Sequence, residues 1–279
     1  MKFWKMNGAG NDFIIINNME GKIPSEKFSH MATILCERHL SIGADGLMVV
    51  EKTTEGTEAD YRMLFYNSDG SMGEMCGNGA RCICRYGYEN GLAGETQRVE
   101  TTAGIVIGER IDKRLYRIRL NDPCNLRFDE PIEVDGRIYR CSYVELGSPG
   151  IPHCVVPIEA LLDYPQADLF KVGRTLRNYE GYPKGANVNF YEIAAPDCIV
   201  EKTYERGVED FTYACGTGTG SVVTILTLQG KVSGRNVRVD VPGGKLYIDV
   251  DMEGKRVKNL YLTGPTNIVA KGEITDEEL

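Results

Sequence analysis

Two cysteines, Cys76 and Cys215, each open a glycine-rich run that reads as the start of a helix. The first lies in NSDGSMGEMCGNGARCICRYGYENG and the second in YERGVEDFTYACGTGTGSVVTILTLQG. In each, a thiol is followed by Gly-X-Gly and then by a helix-compatible stretch ending near Gly. A helix start offers backbone N–H groups without intrahelical partners and the positive end of the helix dipole, which favour a thiolate and a bound anion. A cysteine there can ionise below its free pKa of roughly 8.5. Two matched sites predict one substrate held between two acid/base groups. The plainer alternative is a pair of small buried thiols, as most free cysteines are.

Two groups on opposite sides of a carbon can take a proton from one face and return one to the other. One thiolate and one thiol suit this task if a dry cleft moves their pKa values apart. A carbanion at an amino-acid α-carbon pushes charge onto its carboxylate. Backbone N–H groups at Gly77-Asn78 and Gly216-Thr217 would stabilise that charge as an oxyanion hole does. This scheme requires no external cofactor.

Composition narrows the partners. The net charge is −8 and no Lys/Arg-rich run is present, so a nucleic-acid partner lacks its electrostatic footprint. No stretch of about 18 apolar residues exists to span a bilayer. MKFWKMNGAGNDF has no continuous apolar segment of the kind a signal peptide needs, so a cytoplasmic setting is expected. The nine cysteines are odd in number and irregular in spacing, which favours reduced thiols over a disulfide framework. Cys82 and Cys84 stand two apart, but His30, His39 and His153 give them no complementary ligand pair, and no metal is expected.

The elements that must position the thiols are mostly short β-type runs: Asp12 to Asn17, Gly46 to Glu51, Tyr61 to Tyr66, Arg114 to Leu120, Arg137 to Val144, Val237 to Val241 and Lys245 to Val250. Asp135-Gly136 between two such runs is a hairpin signal. Ser25 reads as the N-cap of a helix whose face carries Phe28, Met31, Ala32, Leu35 and His39. Asp168 to Asn178 also reads as helical, with Leu169, Val172 and Leu176 on one side. Many strands and few helices predict an α+β fold, with sheets each wrapped around a helix. No GxxxxGK[ST] motif or dinucleotide fingerprint is present.

The halves resemble each other beyond the cysteines. Asn67 precedes Cys76 by nine residues and Arg206 precedes Cys215 by nine, each at the end of a strand-like segment, YRMLFYN and IVEKTYER. Gly10-Asn11-Asp12-Phe13 has its counterpart in Gly150-Ile151-Pro152-His153. A duplicated domain is predicted, with a boundary near Asn121-Asp122-Pro123.

The sequence resembles diaminopimelate epimerases over nearly its whole length. KMNGAGNDFIIIN, GADGLMVVE, FYNSDGSMGEMCGNGAR, ANVNFYEI, YERGVEDFTYACGTGTG and VPGGKL fall in that family's order. The resemblance implies two pseudosymmetric domains, residues 1–120 plus 266–279 and residues 121–265, with the C-terminal strand returning to the first. Each would be a β-sheet around a central helix, with the active site in the cleft between them. It implies an isomerase that needs no pyridoxal phosphate or other cofactor and interconverts LL- and meso-diaminopimelate. That reaction serves lysine and cell-wall precursor synthesis. Cys76 and Cys215 would be the catalytic thiols. Asn11, Gly77, Asn78, Gly216 and Thr217 would hold the reacting α-amino-carboxylate. Asn67, Asn187 and Arg206 would hold the distal end, where a planar Arg fork suits a carboxylate. Glu205 would bind the amine and His153 would support the site. The residues also admit simpler readings: Asn67 in a turn, Glu205 and Arg206 as a solvated ion pair, and His153 as a core histidine. A small-molecule amino acid is the implied partner, and a homodimer is possible.

Three positions depart from the family pattern. Asn7 stands where His is usual and Ile151 where Asn is usual, and the second cysteine continues as GTGTGS. Isoleucine neither donates nor accepts a hydrogen bond, so a related two-cysteine racemase of another amino acid is the alternative.

Overall fold

The computed structural model describes residues 1–73, 76–275 and 279. The chain divides into two compact units, Met1–Ile118 with Gly264–Leu279, and Arg119–Thr263. The first contains β1 (Lys2–Gly8), β2 (Asn11–Asn17), α1 (Phe28–Leu35), β3 (Gly46–Glu51), β4 (Tyr61–Asn67), β5 (Met72–Gly73), α2 (Gly77–Glu89), β6 (Thr96–Thr101) and β7 (Gly104–Arg110). Strand β8 (Leu115–Leu120) carries the chain onward. The second unit follows with β9 (Pro123–Val134), β10 (Arg137–Gly147), β11 (Gly150–Pro157), α3 (Gln166–Arg177), β12 (Asn187–Ala195), β13 (Cys198–Glu205), β14 (Asp210–Thr212), α4 (Gly216–Leu228), β15 (Val237–Val241) and β16 (Gly244–Glu253). Strand β17 (Arg256–Pro265) leads back, and β18 (Asn267–Glu273) lies antiparallel to β1 in the first unit.

Strand pairing repeats step for step. In the first unit β1–β2 is antiparallel, β2–β3 parallel, β3–β4 antiparallel, β4–β6 parallel and β6–β7 antiparallel. The second unit gives the same series with β10–β11, β11–β12, β12–β13, β13–β15 and β15–β16. Each parallel pair needs a crossover, and α1, α2, α3 and α4 supply them in turn. Helices α1 and α3 are amphipathic. The first buries Phe28, Met31, Ala32 and Leu35, and the second Leu169, Val172 and Leu176. They pack into separate apolar clusters, one containing Ile14, Leu47 and Tyr66 and the other Val156, Phe190 and Tyr204.

Helices α2 and α4 differ in kind: every residue from Gly77 to Gly87 is buried, as are ten of α4. A helix buried on all sides belongs in the interior of its layer, and small residues let the sheet approach it. A Cβ on Gly79 would stand 2.2 Å from Met48 Cε, and one on Gly218 would stand 2.1 Å from Asn189 Oδ1. Met48 on β3 and Asn189 on β12 are therefore equivalent positions. From that anchor the ladders equate Phe13 with His153, Asn11 with Ile151, Phe65 with Thr203, and, two residues along the same face, Met63 with Glu201 and Asn67 with Glu205.

This register corrects the nine-residue offset. It equates Asn67 with Glu205, not Arg206, because Tyr66 pairs with Met72 whereas Tyr204 pairs with Phe211, one residue further along. The Gly10 to Phe13 match with Gly150 to His153 stands. The hairpin at Asp135-Gly136 also stands, with φ of 50° and 77°, as its tight turn requires. Ser25 does not cap a helix. It begins a 3₁₀ turn (Ser25–Lys27) after Pro24, and α1 starts at Phe28. His39 lies beyond that helix at φ 75°, so it is not on its face.

Candidate active site

Both cysteines are N-caps. Cys76 and Cys215 have extended backbones (φ −108°, ψ 118° and φ −110°, ψ 103°), and their carbonyls accept the first helical bonds from Ala80 and Thr219. Gly77 and Asn78, and Gly216 and Thr217, form the two first turns. The amides of a first helical turn point outward along the axis at the positive end of the dipole, which favours an anion at each start.

Around Cys76 the structure assembles a short polar chain. Asn78 Nδ2 donates to Asn11 Oδ1 at 2.5 Å, and Asn11 Nδ2 donates to Asp45 Oδ2 at 3.1 Å. Arg81 Nη2 donates to Asn78 Oδ1 at 2.8 Å and Nη1 to the Gly77 carbonyl at 3.3 Å. Arg81 is fully buried; burial lowers its pKa to about 10, which leaves it charged at neutral pH, and Cys76 and Cys82 lie within its field. A buried cation thus underlies the first helix start. Asn67 forms the turn that its sequence context also allowed: its carbonyl accepts from Gly70 N–H, and its Nδ2 donates to Ser71 Oγ at 2.9 Å.

The Cys215 half is acidic instead. Burial, and then the Glu205 carboxylate, push the Cys215 thiol well above its ordinary value; the Thr217 hydroxyl and Gly218 N–H pull the other way without prevailing. The lowering expected of a helix start is therefore reversed at Cys215, because desolvation disfavours the thiolate more than two hydrogen bonds support it. Thr217 Oγ1 lies 3.6 Å from Cys215 Sγ. Glu205 Oε2 accepts from Thr212 Oγ1 at 2.7 Å. Asn187 Oδ1 accepts from the Arg206 backbone N–H at 2.9 Å, and its Nδ2 donates to the Pro152 carbonyl at 3.3 Å. It thereby ties β11 to the turn after β13. The Arg206 guanidinium donates to the Lys184 carbonyl at 2.8 Å. His153 is fully buried and neutral, its pKa pushed down to about 3 by burial and by Arg206, and its Nδ1 lies 3.3 Å from Asn189 Nδ2.

Within their own units, Asn11, Gly77 and Asn78 stand on the Cys76 side, and Gly216, Thr217 and Glu205 beside Cys215, whereas the Arg206 guanidinium holds the Lys184 carbonyl. Asn187 serves backbone contacts and Asn67 the turn that contains Ser71. Sequence reasoning missed Asp45, Arg81, Asn189, Glu201, Thr203 and Thr219. A visible signal existed for two of them. Glu201 and Thr203 alternate with Ile199 on the inward parity of β13, where apolar residues are usual. Cys82 and Cys84 are buried thiols pushed up to about 12 by burial. Among the described residues no cluster of metal-ligating side chains occurs, and no helix is long and apolar enough to cross a membrane.

A family model described as diaminopimelate epimerase matches residues 3–117 and 147–269. The diaminopimelate epimerase of Aquifex aeolicus is 37% identical over 291 aligned positions, covering 100% of this chain and 99% of that one. Its namesake from Alkaliphilus metalliredigens is 38% identical, covering 98% and 96%. A solved PhzF-family phenazine biosynthesis protein from Bacillus anthracis superposes with a TM-score of 0.74 over 99% of each chain at 14% identity, a likeness of fold alone.

Proposed function

Because the chain belongs to the diaminopimelate epimerase family, we propose that it interconverts LL- and meso-diaminopimelate without a cofactor, in a cytoplasmic setting. The observation that carries this reading is the repeated N-cap cysteine. Each thiol heads a buried helix whose first turn offers amides to a carboxylate. One thiol removes the α-proton and the other returns a proton to the opposite face. Charge developing on the substrate carboxylate is met by the amides of Gly77, Asn78, Gly216 and Thr217.

The surroundings of the two thiols support one choice of resting roles. Cys215, with Glu205 beside it and burial around it, holds its proton and serves as the acid. The base is then Cys76, where Arg81 supplies a buried positive charge that stabilises an anion. In the reverse direction the roles exchange. Glu205 receives the ammonium group and Arg206 a carboxylate, with Asn11 and Asn78 orienting the reacting end. Ile151 occupies the position equivalent to Asn11 and adds no hydrogen bond, so specificity for the polar distal end falls to the others.

The test is α-deuterium uptake in D₂O over a panel of amino acids. Uptake into diaminopimelate is expected. Uptake into another amino acid and none into diaminopimelate would replace this reading with a related racemase.

A further inference from the structure

Under α4 lies a buried polar chain for which the first unit has no counterpart. Glu201, Thr203, Asn189, His153 and Thr219 are each at most 3% exposed. Glu201 Oε2 accepts from Thr219 Oγ1 at 2.7 Å, and Glu201 Oε1 lies 3.3 Å from Thr203 Oγ1. Thr203 Oγ1 also lies 3.1 Å from Asn189 Oδ1. The amide of Asn189 is oriented by its other end, where Nδ2 faces the carbonyls of Cys154 and Asn187 at 3.2 and 3.3 Å.

Counting protons along this chain fixes the state of the acid. Thr203 has one hydroxyl proton and two neighbours. Asn189 Oδ1 can only accept, so Thr203 must donate to it. The remaining contact is satisfied only if Glu201 Oε1 carries a proton and donates to Thr203. An ionised Glu201 would force Thr203 to turn and would leave Asn189 Oδ1 unpaired in the interior, which is costly. That oxygen is the atom packed against Gly218, and Thr219 N–H closes the first turn on the Cys215 carbonyl at 2.9 Å.

We propose that Glu201 is a positioning residue for Cys215: held as a neutral carboxylic acid, it locks the first turn of α4 through Thr219, and through Thr203 and Asn189 it locks the backbone beside the thiol. Burial raises its pKa to about 7, so the lock loosens on the alkaline side of neutrality. Ionised Glu201 then adds to the negative field that Glu205 already exerts on Cys215. The other charged or titratable groups facing the chain are His153, which stays neutral, and Arg206. The consequence for Cys215 rests on the proposed thiol chemistry. The protonation of Glu201 does not, and is measured without substrate.

Infrared spectra of the substrate-free enzyme are expected to contain a protonated-carboxyl stretch that disappears as pH rises through neutrality. Glu201→Gln should lack it, since Gln donates to Thr203 and accepts from Thr219 as the neutral acid does. Alkylation followed by mass spectrometry then reads each cysteine separately. Above neutral pH, Cys215 in Glu201→Gln should react about threefold faster or more than in wild type, with Cys76 unchanged. A double variant, Glu201→Met with Thr219→Ala, gives the site the apolar residues that the first unit has at Met63 and Ala80. It should also lose the stretch and the neutral-pH transition. Identical spectra in wild type and Glu201→Gln, or an unchanged Cys215 labelling profile, would overturn the proposal. A present stretch with no turnover of diaminopimelate would leave it standing and count against the proposed substrate.

Discussion

The same scaffold is built twice with opposite interiors. Behind the Cys76 helix the inward positions are Phe13, Met48, Met63 and Phe65; behind the Cys215 helix the equivalent positions are His153, Asn189, Glu201 and Thr203. Within the helices the pattern also inverts. Ala80 and the buried Arg81 in α2 correspond to Thr219 and Gly220 in α4, each pair four and five residues after its cysteine. The first unit supplies a cation in an apolar setting, and the second a neutral polar network with acids near the thiol. A duplicated fold gives two thiols the same backbone amides. The side chains behind them make one thiol different from the other, as the proposed base and acid require.

The largest effect should come from the thiols themselves. Cys76→Ala and Cys215→Ala should each lower epimerisation by about a thousandfold or more, since each direction needs both a base and an acid. Near-normal turnover by either variant, in a coupled assay of diaminopimelate interconversion, would overturn the proposed two-thiol mechanism.

The interiors can then be exchanged. Asn189→Met gives the second unit the first unit's residue, but strands the Cys154 and Asn187 carbonyls and Thr203. A loss of about 2–4 kcal/mol in urea unfolding is expected, from unpaired buried polar groups. An unchanged midpoint would mean that the network does not hold the unit together.

The two close-approach glycines offer a direct contrast. Gly218→Ala would press on Asn189, which is held at both ends of its amide. Gly79→Ala would press on the terminal methyl of Met48, which can swing aside. The first should cost about 1–3 kcal/mol and the second clearly less. Thermal unfolding of both variants ranks them, and equal costs would contradict the difference in rigidity.

The smallest effect is a slope with pH. His153 has its pKa pushed from 6.5 down to about 3, so its stabilising contribution is complete above 6.5 and is lost as pH falls toward 3. Glu201 is pushed from 4.5 up to about 7, so its contribution is complete below 4.5 and is lost as pH rises through 7. Between 4.5 and 6.5 the two slopes oppose each other. His153→Phe, the residue at the equivalent position in the first unit, should leave stability falling with pH in this window by roughly 1 kcal/mol per unit. Glu201→Gln should leave it rising. Urea midpoints measured across the window check both signs.

Some of this was legible in the chain because it is local. The Asp135-Gly136 turn, the strands Gly46–Glu51 and Val237–Val241, and the two helices after the cysteines follow from turn chemistry, alternation and capping position. Strand β9 was legible only at its end, residues 132–134, beside the turn, and β18 only through the family resemblance. Few of their side chains are buried, and backbone pairing to β10 and β1, rather than an apolar face, makes them strands. The equation of Asn67 with Arg206 failed for a related reason. Counting along the chain cannot reveal an extra residue in a turn, whereas the ladder on either side fixes which residues are opposite.

What the sequence determined by itself is the chemistry on offer: two cysteines at helix starts, with the amides of Gly-X-Gly behind each. Those depend on residues within a few positions of the thiol. The tertiary structure decided how the two thiols differ. Arg81 counts as a buried charge only once strands enclose α2. Glu201 becomes a neutral acid only when Thr203, Asn189 and Thr219, distant in sequence, leave its proton a single place to go. Protonation in an interior is set by the whole surrounding shell, because without water every donor and acceptor must find its partner there.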